Sequence, residues 1–185
     1  LMDRHVSFKR QQAGTNEALM DLEEAAEALR LPEPRVFLAY PEDSDGAVVG
    51  RIKQYLDREL EGHAIFDWRE ARQPGGVVKR LAAEIARCQF GICYLSERSP
   101  DSGFSHRDNP NVLFEAGMLE SIGQDEGRDI WLPIREEDSP PVPFDFRNTR
   151  ILTVPRGSDG KLTTQLFDTQ LTDHLHALDR ATRPD

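Results

Sequence analysis

The run Asn109-Pro110-Asn111-Val112-Leu113-Phe114-Glu115-Ala116-Gly117-Met118-Leu119 holds a single acid, Glu115, in a stretch that is apolar beyond its first three residues. Asn109 has the side chain to cap a helix, and Pro110 suits the first turn, where its missing N–H would find no partner anyway. Such a helix is apolar almost all round and is expected to be buried on more than one side. At helical spacing Glu115 shares a face with Asn111, Met118, Leu119 and Ile122. A carboxylate in that setting costs several kcal/mol unless it is paired or lines a cleft. One reading is a structural glutamate answered by an arginine or by backbone N–H groups. The preferred reading is a catalytic carboxylate near a helix start, with Gly117 letting another element pack close.

Other candidates are weaker. Ser96 and Ser99 follow an apolar run, but neither lies in a G-x-S-x-G elbow. His106 is a possible base in a polar stretch, against the plainer reading of a solvent-exposed loop histidine. Trp68 follows a strand-like run and offers an aromatic face for a planar ring; otherwise it anchors the loop to the core. Arg69 and Arg72 present planar donors suited to phosphate, or belong to a solvated charged loop. There is no Walker loop, no dinucleotide-type glycine fingerprint around Gly46 and Gly50, and no His or Cys pair at zinc spacing. Cys88 and Cys93 read as core thiols in a reducing compartment.

The elements that must position these residues alternate along the chain. Arg35–Tyr40 is a short apolar run of buried-strand type, followed by a turn at 41–46 and a helix over about 47–61 with Val48, Val49, Ile52, Leu56 and Leu60 inward. A strand at 63–67, a loop over 68–76 and a helix bearing Leu81 and Ile85 come next. A third strand at 90–95 leads through a polar loop, 96–108, to the Glu115 helix, which should stop at Gly123. A fourth strand covers 130–134, with Pro133 suggesting its end or an edge position. A fifth lies at 151–154, and a last helix spans about 163–178. This alternation predicts an α/β, flavodoxin-like three-layer sandwich: a five-stranded, mainly parallel sheet of order 2-1-3-4-5 with helices on both faces. Ligands in such sheets bind outside the carboxyl ends of the strands, at the switch between strands 1 and 3. Residues 1–34 read as a polar segment and an amphipathic linker helix, with the domain proper at 35–180.

A length of 185 residues suits one domain with appendages. A net charge of −10 argues against a nucleic-acid partner or an acidic membrane surface. No apolar run approaches the roughly 20 residues of a membrane span, and no signal-peptide apolar region is present, so a cytoplasmic protein is expected.

Several of these segments together resemble a known family. Val36-Phe37-Leu38-Ala39-Tyr40 looks like the first-strand box of Toll/interleukin-1 receptor (TIR) domains, and Phe66-Asp67-Trp68 through Pro74-Gly75-Gly76 looks like the second strand and its loop. Ala86–Ser96 resembles the helix-to-third-strand segment ending in serine. Asn111-Val112-Leu113-Phe114-Glu115-Ala116-Gly117 is similar to the Asn-Val-x-Phe-Glu-x-Gly element of bacterial TIR-like domains. The resemblance implies an NAD⁺ glycohydrolase or cyclase, an antiphage effector that splits the nicotinamide–ribose bond with Glu115 as catalytic residue. It further implies substrate contacts from Phe37, Tyr40, Trp68, Arg69, Arg72, Ser96 and Asn111. NAD⁺ would be a substrate, with no cofactor and no metal, because the leaving group already carries positive charge. Self-association is implied too, the loop at 68–76 completing a neighbour's site, as is a sensor domain in a longer parent chain. The same Glu-x-Gly element occurs in nucleoside 2-deoxyribosyltransferases, which are the enzymatic alternative; a non-catalytic TIR assembly module is the other.

Overall fold

A computed structural model describes residues 35–60, 63–67, 69, 77–100, 103–127, 129–141 and 150–182. Eleven elements follow in order among them: β1 (Arg35–Ala39), α1 (Gly46–Glu59), β2 (Ala64–Asp67), α2 (Val77–Ala86), β3 (Phe90–Tyr94), β4 (Ser96–Arg98), β5 (His106–Asp108), α3 (Pro110–Glu126), β6 (Trp131–Arg135), β7 (Leu152–Thr153) and α4 (Thr164–Thr182). The expected linker helix of residues 1–34 lies outside the described residues.

β2, β1, β3, β6 and β7 form one sheet in that order, with every pairing parallel. This is the flavodoxin-like arrangement that the alternation of elements predicts. Successive side chains of a strand point to opposite faces, and the core divides accordingly. Val36, Leu38, Ile92 and Tyr94 pack with α1 and α4, whereas Phe37, Ala39, Cys93 and Leu95 pack with α2 and α3. Both faces of β1 and β3 are therefore apolar, which explains their unbroken hydrophobic runs.

Three details depart from the sequence reading. Ser96–Asp108 is not an open loop, because its two ends pair antiparallel, Ser96 with Asp108 and Arg98 with His106. The Glu115 helix runs through Gly123 and ends at Gly127, whose φ of 67° closes the last turn in the left-handed region that glycine tolerates. Pro133 sits mid-strand in β6, an interior strand, yet on the β7 side it lies outside the paired residues and is locally an edge. Gly91 N donates to Ile130 O and Leu95 N to Ile134 O, so residues 130, 132 and 134 turn their backbone toward β3. The nitrogen of Pro133 faces the β7 side, where pairing covers only Ile134 and Arg135, so the ladder loses nothing.

Candidate active site at the carboxyl edge of the sheet

α3 begins where the sequence places it. Asn109 adopts an extended conformation (φ −74°, ψ 125°), and its Oδ1 accepts from Asn111 N at 3.0 Å and Val112 N at 3.2 Å. Asn109 N donates to Leu95 O at 2.8 Å, which fastens the helix start to the end of β3. The other half of the Asn109 amide donates to Glu97, whose carboxylate also accepts from Arg107 Nε at 2.8 Å. Arg135, buried, makes a two-point contact with Asp108 at 2.8 and 2.9 Å and donates to Pro140 O at 2.7 Å. The β4–β5 hairpin is thus clamped on both sides just before α3.

One and a half turns into that helix, Glu115 is 6% exposed, with Val112, Ala116 and Leu119 buried beside it. The helix buries this one face and not several, as Phe114 on another side is 53% exposed. It is engaged by the protein, and it lies against the end of β3. The Cys93 thiol is pushed well up, first by complete burial and then by the negative charge of Glu115. Cys88 is also shifted, to about 12, chiefly by burial, and its Sγ contacts Glu84 O at 3.2 Å. Neither thiol is a nucleophile near neutral pH. Gly117 is exposed, and a Cβ there would meet nothing within 4 Å among the described residues, so none of their elements packs closely against it.

A second polar group closes the ends of β1 and β2. The Asp67 carboxylate, nearly buried, accepts from Tyr40 Oη at 2.6 Å, from Lys53 Nζ at 2.6 Å and from Arg69 N at 3.0 Å. Burial alone would raise its pKa, but the hydrogen bonds from Lys53, Tyr40 and Arg69 N–H together outweigh it and hold the carboxyl below its usual range. Tyr40 is pushed up, first by burial and then by its bond to that anion. Two cations lie over its ring, Lys53 Nζ and Arg69 Cζ each 5.4 Å from the centroid. The Arg69 guanidinium reaches Pro41 O at 3.5 Å and Glu42 at 3.5 Å.

The structure does not bring all the expected substrate contacts to a surface. Phe37 is fully buried and stacks on Phe66 with ring centroids 6.2 Å apart, so it supports the sheet and does not wall a pocket. Ser96 is also buried, and its Oγ accepts from Glu136 N at 2.9 Å, tying the end of β3 to the end of β6. Tyr40 and Arg69 are half-buried at the carboxyl edge, and Asn111 is exposed on the first turn of α3. Trp68 and Arg72 lie outside the described residues.

Sequence reasoning missed a charged network on the same edge. Glu136, 4% exposed, accepts from Tyr94 Oη at 2.8 Å and from Arg156 Nε at 3.0 Å. Arg156 also pairs with Asp45 at 2.8 Å, and Asp45 caps α1 through Ala47 N at 2.8 Å. Burial opposes ionisation of Asp45, yet Ala47 N–H and Arg156 outweigh it and lower its pKa. Tyr94 is pushed far up, first by burial and then by the Glu136 charge, which fixes it as a donor. The sequence signal was slight: Arg135-Glu136-Glu137-Asp138 follows an apolar strand directly, where a fully buried ion is rare.

Sheet order and edge chemistry define a flavodoxin-like α/β protein with polar groups gathered at the strand carboxyl ends. No family model matches the chain, and no curated protein matches it. Among solved structures it is similar to the signal receiver domain of a protein described as a Luxo repressor from Vibrio parahaemolyticus. That match has 21% identity and a TM-score of 0.40, covering 80% of this chain and 92% of the other. It is also similar to FerB, a flavoenzyme NAD(P)H:acceptor oxidoreductase from Paracoccus denitrificans. There the identity is 10% and the TM-score 0.40, covering 82% of this chain and 100% of that one.

Proposed function

We propose that this protein cleaves the bond between nicotinamide and ribose in NAD⁺, with Glu115 as the catalytic carboxylate. The observation that carries the reading is the burial of Glu115 at 6% exposure, in the second turn of a helix whose start is fastened to the carboxyl end of β3. Folding tolerates an acid in an apolar cluster only where it is answered, and such acids gather at functional sites. In the reaction the C1′–N bond breaks and its electron pair leaves with nicotinamide, which becomes neutral. Positive charge develops on the ribose, and the Glu115 carboxylate stabilises it electrostatically. Water then adds at C1′ and loses its proton to solvent, giving ADP-ribose; an intramolecular nucleophile would give a cyclic product. Tyr40 and Trp68 are assigned to the walls of the site, Arg69 and Arg72 to the pyrophosphate, and Asn111 to a ribose hydroxyl. Phe37 and Ser96 hold the strand ends that carry them. The setting is a cytoplasmic, self-assembling defence effector, on the strength of the TIR resemblance.

The test incubates the chain with NAD⁺ and, separately, with deoxynucleosides, following free nicotinamide and free base. Nicotinamide release is expected from the wild type. Glu115→Gln should stay folded and lose about 10²–10³ in rate, the usual effect of deleting one electrostatic stabiliser. A folded Gln variant with wild-type activity would remove Glu115 from the mechanism. Release of base from deoxynucleosides would favour a deoxyribosyltransferase, and release of neither product an assembly module.

A further inference from the structure

The charged network at the ends of β3 and β6 opens onto a cleft of about 780 Å³ that does not include Glu115. We propose that this cleft binds an uncharged sugar through a vicinal diol, in a ligand of nucleoside size, and that it disfavours the phosphorylated form. The cleft lies between the turn before α1, the hairpin and the β7–α4 connection, over the carboxyl ends of β1 and β3, where doubly wound sheets take their ligands. Its volume falls within the range of small-molecule sites.

The lining selects the chemistry. Among the described residues, five carboxylates (Asp43, Asp45, Glu136, Glu137 and Asp138) face two guanidiniums, Arg98 and Arg156. Arg156 is already held between Glu136 and Asp45, so it has little charge to give an anion. The N–H groups of the second to fourth residues of α1 are taken by Asp45, through its side chain to Ala47 N and its carbonyl to Val48 N and Val49 N. A phosphate would therefore find carboxylates, a used helix start and one rim arginine. No group of three or more His, Cys, Asp and Glu among the described residues could hold a metal ion. What remains open are acceptors and hydroxyls. Asp43 and Glu137 are exposed carboxylates with no side-chain partner among the described residues, and Ser44 lines the same walls, whereas the Ser105 hydroxyl is already given to Asp138. Carboxylates at a switch point accept hydrogen bonds from ribose hydroxyls. His106 also lines the hairpin edge of the cleft. Gly46 and Gly160 also line the cleft, and a Cβ on either would meet nothing within 4 Å, which leaves open backbone surface for a flat ring.

Calorimetric titration of the full chain with adenosine, D-ribose, 2′,3′-dideoxyadenosine and AMP tests this. Adenosine should bind with a Kd below about 1 mM, and loss of the diol or addition of the phosphate should weaken binding about tenfold or more. D-Ribose binding as tightly as adenosine would mark a free-sugar site with no role for the base, the diol chemistry standing. The double variant Asp43→Asn/Glu137→Gln should lose adenosine affinity about tenfold with an unchanged melting temperature, since both side chains are exposed and have no partner among the described residues. Glu115→Gln should leave the affinity unchanged. The proposal falls if adenosine gives no saturable heat, if AMP binds more tightly than adenosine, if the double variant binds normally, or if Glu115→Gln abolishes binding.

Discussion

At Asp67 three donors converge on one carboxylate at the carboxyl ends of β1 and β2. Its folded pKa lies below the unfolded value of 3.8, and that of Asp45 does the same. As pH falls through this range the unfolded chain takes up protons first, so the stability these groups contribute is complete at neutral pH and is lost on acidification. The melting temperature should therefore be flat near neutrality and fall from about pH 5 downward. Asp67→Asn should lower stability at pH 7 by about 1–3 kcal/mol, because Lys53 loses its charged acceptor, and should flatten the acid limb. A variant that melts like the wild type at every pH would show that the cluster contributes nothing to the fold. The difference in legibility between Glu115 and Glu136 is also a matter of this scale. Glu115 stood out because its neighbours in sequence are its neighbours in space. Glu136, Arg156 and Asp45 come from three distant stretches, so their partnership exists only once the sheet is assembled.

At the scale of elements, β3 and α3 meet at one tight point. A Cβ on Gly91 would lie 2.4 Å from Leu119 Cδ1 and 3.3 Å from its Cγ, and Leu119 is fully buried. Glycine in the middle of a central strand weakens it, and here the close approach of the Glu115 helix requires it. Gly91→Ala should destabilise by about 1–3 kcal/mol through overpacking. Adding Leu119→Val should recover part of that loss, a coupling that a double-mutant cycle in urea would measure. Additive losses would mean that the helix shifts as a body and that Leu119 is not the constraint. The strands with apolar runs and the capped helices were legible in sequence because local pattern and burial agree in them. The β4–β5 hairpin was not legible. Ser-Glu-Arg and His-Arg-Asp carry no alternation of apolar and polar residues, and ion pairs to Glu97 and Arg135 hold them, in place of a buried face. The end of α3 was misplaced for a related reason. Gly123 reads as a stop, yet it is buried within the helix, and the chain reaches the left-handed conformation only at Gly127.

For the whole molecule, the net charge of −10 sets how copies meet. Like-charged chains repel most strongly at low ionic strength, where screening reaches about 30 Å at 0.01 M, against about 8 Å at physiological salt. Against that repulsion, Phe114 and Leu166 are exposed large hydrophobics, and Phe104 lies exposed between the two hairpin strands. On the proposed reading the active site is completed by a neighbouring copy through the segment following β2, in which Arg72 supplies a positive charge against acidic surface. A heterologous contact of this kind propagates if it does not close into a ring. Nicotinamide release per mole should therefore rise with protein concentration and with moderate salt, and the Arg72→Glu variant should blunt the rise. The measurement is specific activity over about a hundredfold range of concentration at two ionic strengths, with light scattering in parallel. Because Arg72→Glu also removes a contact assigned to the pyrophosphate, light scattering, not activity, reads its effect on association. Salt should restore association in the wild type but not in the variant. A specific activity independent of concentration, from particles that scatter as single chains, would mean that each copy holds a complete site and that assembly plays no part in the reaction.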